Sequence, residues 1–262
     1  MIPLKQKTPL ILRLLWVTVL LLSNGCAQFT TRPPSPPLGH QQIAGIISSF
    51  KDQESAVHTL ISSGTLAIES QGAQSEAEVL IVARRDPSSI RIEITHAWGR
   101  PLLHILVDGP RLDILSFSEK RHYRGRLGSP FLLKQIPFPL DSDLLWSLAR
   151  AYPVLPPYHR AQSEKGDQIT LTDKQKSDIQ VIDLYPDSNL PRRVWLCRQG
   201  TTMSFSNFQD SSDLIYGGEI GLSDAENTTR LTLEIRKMVF NRSVPEAIFQ
   251  QEAPQDFEEV HL

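Results

Sequence analysis

The 262-residue sequence has only two cysteines, Cys26 and Cys197, and it contains no C-x-x-C motif. It therefore lacks the thiol spacing typical of zinc and dithiol redox sites. Cys197 ends the apolar run 194–197, which predicts a small core residue with no redox or metal role.

Catalytic signatures are also missing. The sequence has no G-x-S-x-G, H-E-x-x-H or P-loop motif, and none of its seven histidines has the spacing of metal ligands. Asp141 and Asp143 precede an apolar helical segment, so they indicate a helix N-cap rather than a catalytic carboxylate pair. We therefore expect no enzyme, metal site or cofactor.

The sequence also has no excess of positive charge. The formal net charge is −2, and removal of an N-terminal leader containing Lys5, Lys7 and Arg13 would bring it to about −5. Nucleic-acid-binding domains usually carry a basic face, so this balance argues against a nucleic-acid partner.

The apolar run near the N-terminus is shorter than a membrane span. Leu14–Leu22 follows three basic residues and falls short of the roughly 20 residues that cross a bilayer. Residues 1–25 therefore predict a secretory signal peptide. The stretch Leu22–Cys26 resembles the bacterial lipobox, with Ser23 where Leu is preferred, and indicates lipid attachment at Cys26. Ordinary signal cleavage and an uncleaved anchor are the alternatives.

Residues 26–39 contain a Pro-rich stretch that predicts an extended tether, and residues 40–262 then read as one domain. Helical spacing predicts one helix over His40–Ile61, either continuous or broken near Lys51-Asp52. Asp141 indicates the start of a second, short helix. Gly125–Pro139 and Val154–Lys165 are predicted loops, Asp108-Gly109 indicates a tight hairpin turn, and Val244–Phe249 closes the fold. Pro254–Leu262 is expected to be a frayed end.

Alternating polarity and apolar runs predict two antiparallel meanders. The predicted strands are Thr65–Glu69, Glu76–Ala83, Ile90–Thr95, Leu102–Val107, Arg111–Phe117, Gln168–Thr172, Ile179–Tyr185, Pro191–Arg198, Thr202–Phe208, Leu214–Ile220 and Thr229–Phe240.

Trp98 lies in the short connection Ala97–Pro101 between two predicted strands. A tryptophan is costly to expose, so two interpretations are open. Trp98 is either a residue at the edge of the core or a protruding apolar tip that touches membrane or ligand.

The order of these segments resembles that of the LolA/LolB superfamily of periplasmic lipoprotein carriers and outer-membrane lipoprotein receptors. The resemblance covers His40–Leu262, and its motifs are degenerate. They are Ile90–Ile94, Trp98–Leu102, Asp108-Gly109, Tyr123–Gly125, Leu190–Arg192 and Val244–Phe249 with Pro254.

The resemblance implies a β-rich α+β fold: a single-domain, unclosed antiparallel β-barrel capped by helices, with an apolar cavity for acyl chains. Trp98 matches the position of an apolar loop residue of the receptors. The expected cavity lining is Leu66, Ile68, Val79, Ile81, Ile92, Ile94, Ile105, Leu231, Leu233 and Ile235.

The resemblance also implies a function and a location. Ala27 after Cys26 is not the Asp that signals retention in the inner membrane, which favours the periplasmic face of the outer membrane. The expected partners are acylated lipoproteins or lipids, with a LolA-type carrier as donor. The leading interpretation is a lipoprotein acceptor; the alternative is an envelope scaffold lipoprotein that uses the same fold without lipid transfer.

Overall fold

The computed structural model describes residues 36–70, 72–129 and 138–262. The predicted signal peptide, Cys26 and the tether up to residue 35 lie outside the described residues. Residues Pro36–Leu262 form one compact unit. Its described residues form two α-helices, α1 (His40–Ser55) and α2 (Ser142–Arg150).

The strands are β1 (Thr59–Ser70), β2 (Ala73–Arg84), β3 (Ser89–Thr95), β4 (Pro101–Asp108), β5 (Arg111–Ser116), β6 (Arg121–Arg126), β7 (Arg160–Gln162), β8 (Gln168–Thr172), β9 (Asp178–Leu184), β10 (Pro191–Leu196), β11 (Thr201–Ser206), β12 (Gln209–Ser211), β13 (Leu214–Tyr216), β14 (Glu219–Asp224), β15 (Thr229–Phe240) and β16 (Glu258–His261).

Fourteen of these strands form one sheet, in the order β16-β6-β5-β4-β3-β2-β1-β15-β14-β11-β10-β9-β8-β7, and β12 and β13 form a separate hairpin. The pairing of β1 with β15 joins the two predicted meanders into a continuous surface. The sheet curls around α1 and α2 without closing, so the predicted fold class, an unclosed antiparallel barrel capped by helices, is confirmed.

Each helix buries one apolar stripe against the sheet. Ile43, Ile46, Ile47 and Phe50 are the buried residues of α1. In α2 the predicted cap is present, because the Asp141 carboxylate accepts a hydrogen bond from the Leu144 backbone N–H at 2.8 Å. Neither helix is long and apolar enough to cross a membrane, a statement that covers the described residues only.

Arg150, at the end of α2, is 1% exposed and joins both helices to the sheet. Its guanidinium donates to the Gln53 carbonyl oxygen at 2.6 Å and to the Ile215 carbonyl oxygen at 3.4 Å. It also lies over the rings of Tyr152 and Phe240, at 4.6 and 5.9 Å from their centroids. Burial without a carboxylate partner lowers the pKa of Arg150 to about 10.

The predicted first helix is too long. The helix ends at Ser55, and the last residues of the predicted span, Thr59–Ile61, instead begin β1. Leu60 is fully buried between Ala83 on β2 and Phe240 on β15, so its position is set by strand pairing. Val57, Leu60 and Ile61 fit helical spacing in the sequence, but pairing on both sides determines the conformation.

The second meander differs from the predicted one at two places. The predicted strand Leu214–Ile220 is divided into β13 and β14 at Gly217-Gly218, where the Gly217 N–H donates to the Ala151 carbonyl oxygen at 2.8 Å. In the predicted loop Val154–Lys165, Arg160–Gln162 pairs with β8 as the short strand β7.

The predicted frayed end is partly wrong. Glu258–His261 forms β16, parallel to β6, and the Leu262 N–H donates to the Arg124 carbonyl oxygen at 2.8 Å. The side chains of Arg121 and Arg124 pair with Glu258 and Glu259 at 3.2 Å each. Backbone pairing with β6, together with these ion pairs, holds the C-terminus on the sheet.

The apolar residues on the convex face of the sheet are covered as well. The predicted closing segment contains a 3₁₀ turn at Glu246–Phe249, and Phe249 packs against Val82 and Leu106. The Arg91 guanidinium donates to the carbonyl oxygens of Ile248 and Gln250 at 3.2 Å, which holds this segment on β3. The covered convex face explains why β4 is apolar on both sides.

Candidate functional site

An apolar cavity of about 410 Å³ lies between the concave face of the sheet and α2. Cross-strand register builds its wall: Ile81 pairs with Ile92, Ile92 with Ile105, and Ile105 with Ile114. Because paired residues point to the same face, these four isoleucines form one row across β2, β3, β4 and β5. The volume falls within the range of about 300–1,000 Å³ typical of small-molecule sites.

Nine of the ten residues expected to line an acyl cavity lie on the wall of this one: Leu66, Ile68, Val79, Ile81, Ile92, Ile94, Ile105, Leu231 and Leu233. Ile235 does not line it. That residue is buried in the core, and its N–H donates to the Gly218 carbonyl oxygen at 2.8 Å.

Other lining residues were not identified from the sequence. They are Ser70, Leu103, Val107, Leu112, Ile114, Leu127, Phe138, Leu140, Leu145, Leu148, Ala149, Leu222 and Thr229. The sequences of β4 and β5 are apolar on both faces, so they do not show that Leu103, Val107, Leu112 and Ile114 face the cavity. The contribution of α2 depends on how that helix packs over the sheet, which the sequence alone does not give.

Ser70 and Thr229 are the two polar residues of the lining as far as the structure describes it, and their hydroxyl oxygens lie 3.2 Å apart in a hydrogen bond with each other. No charged side chain is among the described residues that line the cavity. The wall therefore offers a ligand dispersion contacts and burial of apolar surface, with two hydroxyl groups that share one hydrogen bond.

The cavity reaches one rim of the barrel. In the antiparallel sheet, β1, β3 and β5 end on the same rim, at Ser70, Thr95 and Ser116. Ile68, two residues from the end of β1, lines the cavity and is 39% exposed. We call this edge the Trp98 rim, because the turn after β3 carries Trp98.

Trp98 is 77% exposed and therefore is not a residue of the core edge. Its ring stacks on that of His96, with centroids 4.5 Å apart and planes inclined by 9°. The turn is closed by hydrogen bonds from the His96 N–H to the Arg100 carbonyl oxygen at 2.8 Å and from the Gly99 N–H to the His96 carbonyl oxygen at 2.7 Å. Gly99 has φ of +82°, a conformation that residues with a Cβ rarely adopt.

The other polar residues considered from the sequence make hydrogen bonds or packing contacts that stabilise the fold. Asp141 also accepts a hydrogen bond from the Gln199 side chain at 2.9 Å, so both its carboxylate oxygens are used. Burial lowers the pKa of His104, which packs edge-on against Phe117 at 4.7 Å. Cys197 is half-buried rather than in the core, and burial raises the pKa of its thiol. Within the described ranges, no three His, Cys, Asp or Glu side chains cluster closely enough to hold a metal ion.

No family model and no curated protein matches this sequence. Solved structures do match. A DUF1329 family protein from Desulfovibrio piger aligns with a TM-score of 0.53 and 11% identity, over 79% of this chain and 97% of its own.

Two further structures match this chain as well. A LolA superfamily protein from Nitrosomonas europaea aligns with a TM-score of 0.51 and 15% identity, over 80% of this chain and 97% of its own. A domain described as an outer membrane lipoprotein-sorting protein, from Vibrio parahaemolyticus, aligns with a TM-score of 0.51 and 12% identity, over 80% of this chain and 96% of its own. The described chain thus has the LolA/LolB-like fold.

Proposed function

We propose that this protein is a lipoprotein of the outer membrane that binds acyl chains in its cavity and accepts lipoproteins for insertion. The observation that supports this most strongly is the lining of the cavity, in which Ser70 and Thr229 are the polar residues and bond each other. A wall whose described residues carry no charge and only one hydrogen-bonded pair of hydroxyls suits an aliphatic chain better than a polar metabolite.

The energetics fit such a ligand. Burying one CH₂ group contributes about 0.8 kcal/mol, so a long acyl chain left in water costs on the order of 10 kcal/mol. A protein that carries several acyl chains therefore needs an apolar receptor wherever it crosses an aqueous space. The row of Ile81, Ile92, Ile105 and Ile114 provides branched apolar surface across four adjacent strands.

Trp98 takes the role of the contact tip in this proposal. It projects from the rim that the cavity reaches, and the strands on either side of its turn contribute Ile94 and Leu103 to the cavity wall. Tryptophan prefers the boundary between water and lipid, where its ring is buried and its N–H stays solvated. The tip would bring the mouth of the cavity to the bilayer surface.

We further propose that Cys26 carries the lipid anchor, that residues 1–25 are removed, and that the tether of residues 26–39 holds the domain on the periplasmic face of the outer membrane. The acylated cargo would arrive from a periplasmic carrier of the LolA type. The fold resemblance supports this arrangement, and the lipobox-like stretch Leu22–Cys26 supports the anchor.

Saturable uptake of a fluorescent fatty acyl probe tests the proposal. The purified chain is expected to enhance the probe's emission with a saturable profile, and unlabelled fatty acid is expected to displace the probe. Absence of saturable uptake would contradict acyl binding and favour the scaffold function.

A further inference from the structure

Arg100 is a charged residue beside Trp98 that the proposed function leaves unused. Its side chain is exposed, and within the described part of the chain its guanidinium has no ion pair or hydrogen bond. Its backbone is fixed, because its carbonyl oxygen accepts the 2.8 Å bond that closes the turn. A free cation is thus held two residues from an exposed indole.

Two other cations near this rim are paired with carboxylates. Lys120 pairs with Asp256 at 2.8 Å and Arg121 with Glu258 at 3.2 Å. The turn from His96 to Arg100 contains no carboxylate, and Glu78, opposite Thr95 at the end of β3, is bound to Arg236. Arg100 therefore remains a local positive charge on a chain whose net charge is −2.

An exposed Trp with an unpaired Arg matches the chemistry of a membrane surface that contains anionic lipids. The indole enters the interfacial layer, and a guanidinium donates a forked pair of hydrogen bonds to phosphate oxygens. Each Lys or Arg near an anionic membrane contributes about 1 kcal/mol of attraction, which corresponds to about fivefold in binding.

We propose that the turn from His96 to Arg100 is a contact site for anionic phospholipids, in which Trp98 enters the interface and Arg100 binds the phosphate of the headgroup. This inference rests on the proposed contact of Trp98 with the bilayer and adds a lipid class to it. Since the chain as a whole is negative, a preference for anionic lipid must come from a local cation.

Quenching of Trp98 fluorescence by brominated lipids tests this proposal on the full-length chain. Vesicles contain phosphatidylcholine and phosphatidylglycerol in equal amounts, and bromine is carried by one lipid or by the other. The Trp98 signal is the difference in emission between the wild-type chain and Trp98→Phe, which removes the contribution of the other tryptophans. The ratio of the two quenching efficiencies reports which headgroup lies beside the indole.

The wild-type chain is expected to be quenched more strongly by brominated phosphatidylglycerol, by up to about fivefold. Arg100→Gln should bring this ratio close to one, while Arg192→Gln, at an exposed arginine near the start of β10 on the opposite rim, should leave it unchanged. Equal quenching by both lipids in the wild type would overturn the role of Arg100 while leaving the membrane contact intact.

Two other results would also reject the anionic-lipid site. If Arg192→Gln also lost the preference for phosphatidylglycerol, that preference would come from the overall charge of the chain and not from the turn. Absence of quenching by either lipid would show that Trp98 does not reach the bilayer and would favour a contact with cargo protein. Acyl uptake by the cavity would be unaffected by that result, so the two proposals fail separately.

Discussion

The rings of His96 and Trp98 lie nearly parallel, 4.5 Å apart, at the tip of the turn between β3 and β4. Both belong to a turn fixed by two backbone hydrogen bonds, so the most exposed large apolar side chain of the described residues is held in place before it meets a partner. A preorganised side chain loses less conformational entropy on binding than a free one.

Trp98→Ala should leave stability almost unchanged, because substitutions at exposed positions usually stay within about 0.5 kcal/mol. Binding of the tip to lipid should be lost. Trp146→Ala is the matched control, because Trp146 is 6% exposed and large-to-small core substitutions cost about 3–5 kcal/mol. Thermal unfolding of both variants is the measurement, and a large drop in melting temperature for Trp98→Ala would place its indole in the core.

Arg150→Ala should destabilise the fold by about 3 kcal/mol. The substitution leaves a cavity beside Tyr152 and removes the donors bound to the carbonyls of Gln53 and Ile215. Arg150→Met should cost less, because it refills the volume and avoids burying a charge. Chemical denaturation gives both values; equal stability of Arg150→Ala and wild type would show that this residue does not join the helices to the sheet.

The alternation of polar and apolar residues predicts much of the sheet, because burial of one face fixes it locally. The bounds of β8 and β15 agree with the predicted ones. Nine of the ten residues named for the lining lie on the wall of the cavity, and their contact with acyl chains stays a prediction. Ile235 shares the face of Leu231 and Leu233, but alternation does not tell where along a strand the cavity ends and the packed core begins.

Features that depend on partners distant in sequence could not be predicted. The start of β1 depends on pairing with β15, and β16 depends on pairing with β6, more than 130 residues away in the chain. The exposure of Trp98 could not be predicted either, because the sequence of its turn is compatible both with a residue at the edge of the core and with a protruding tip.

Gly64→Ala should be strongly destabilising, by several kcal/mol, because a Cβ at this position would collide with the carbonyl oxygen of Glu234 on β15. The site lies at a register shift in the pairing of β1 with β15, so the backbones approach closely there. Gly45→Ala in α1 is the control, because a Cβ at this position would meet no other atom. This substitution should stabilise the helix by about 0.5–1 kcal/mol. If the two variants shifted the denaturation midpoint equally, the close approach of the β1 and β15 backbones would be contradicted.

Cys26→Ser should move the protein from the membrane fraction to the soluble periplasmic fraction, because no thiol remains to be acylated. Fractionation of cells followed by detection of the chain gives the distribution, and Cys197→Ser, which leaves the lipobox-like stretch intact, is the control. Retention of Cys26→Ser in the membrane, with the N-terminal segment still attached, would identify residues 1–25 as an uncleaved anchor.

Uptake of a fluorescent fatty acyl probe by two tryptophan variants tests the proposed cavity most directly. Ile105→Trp places a large ring in the isoleucine row, whereas Leu80→Trp adds the same ring at a residue that is 37% exposed and lines a groove on the convex face. We expect saturable uptake to fall at least tenfold in Ile105→Trp and to stay at the wild-type level in Leu80→Trp, with both variants folded by circular dichroism. Wild-type uptake in a folded Ile105→Trp chain would show that acyl chains do not bind in this cavity.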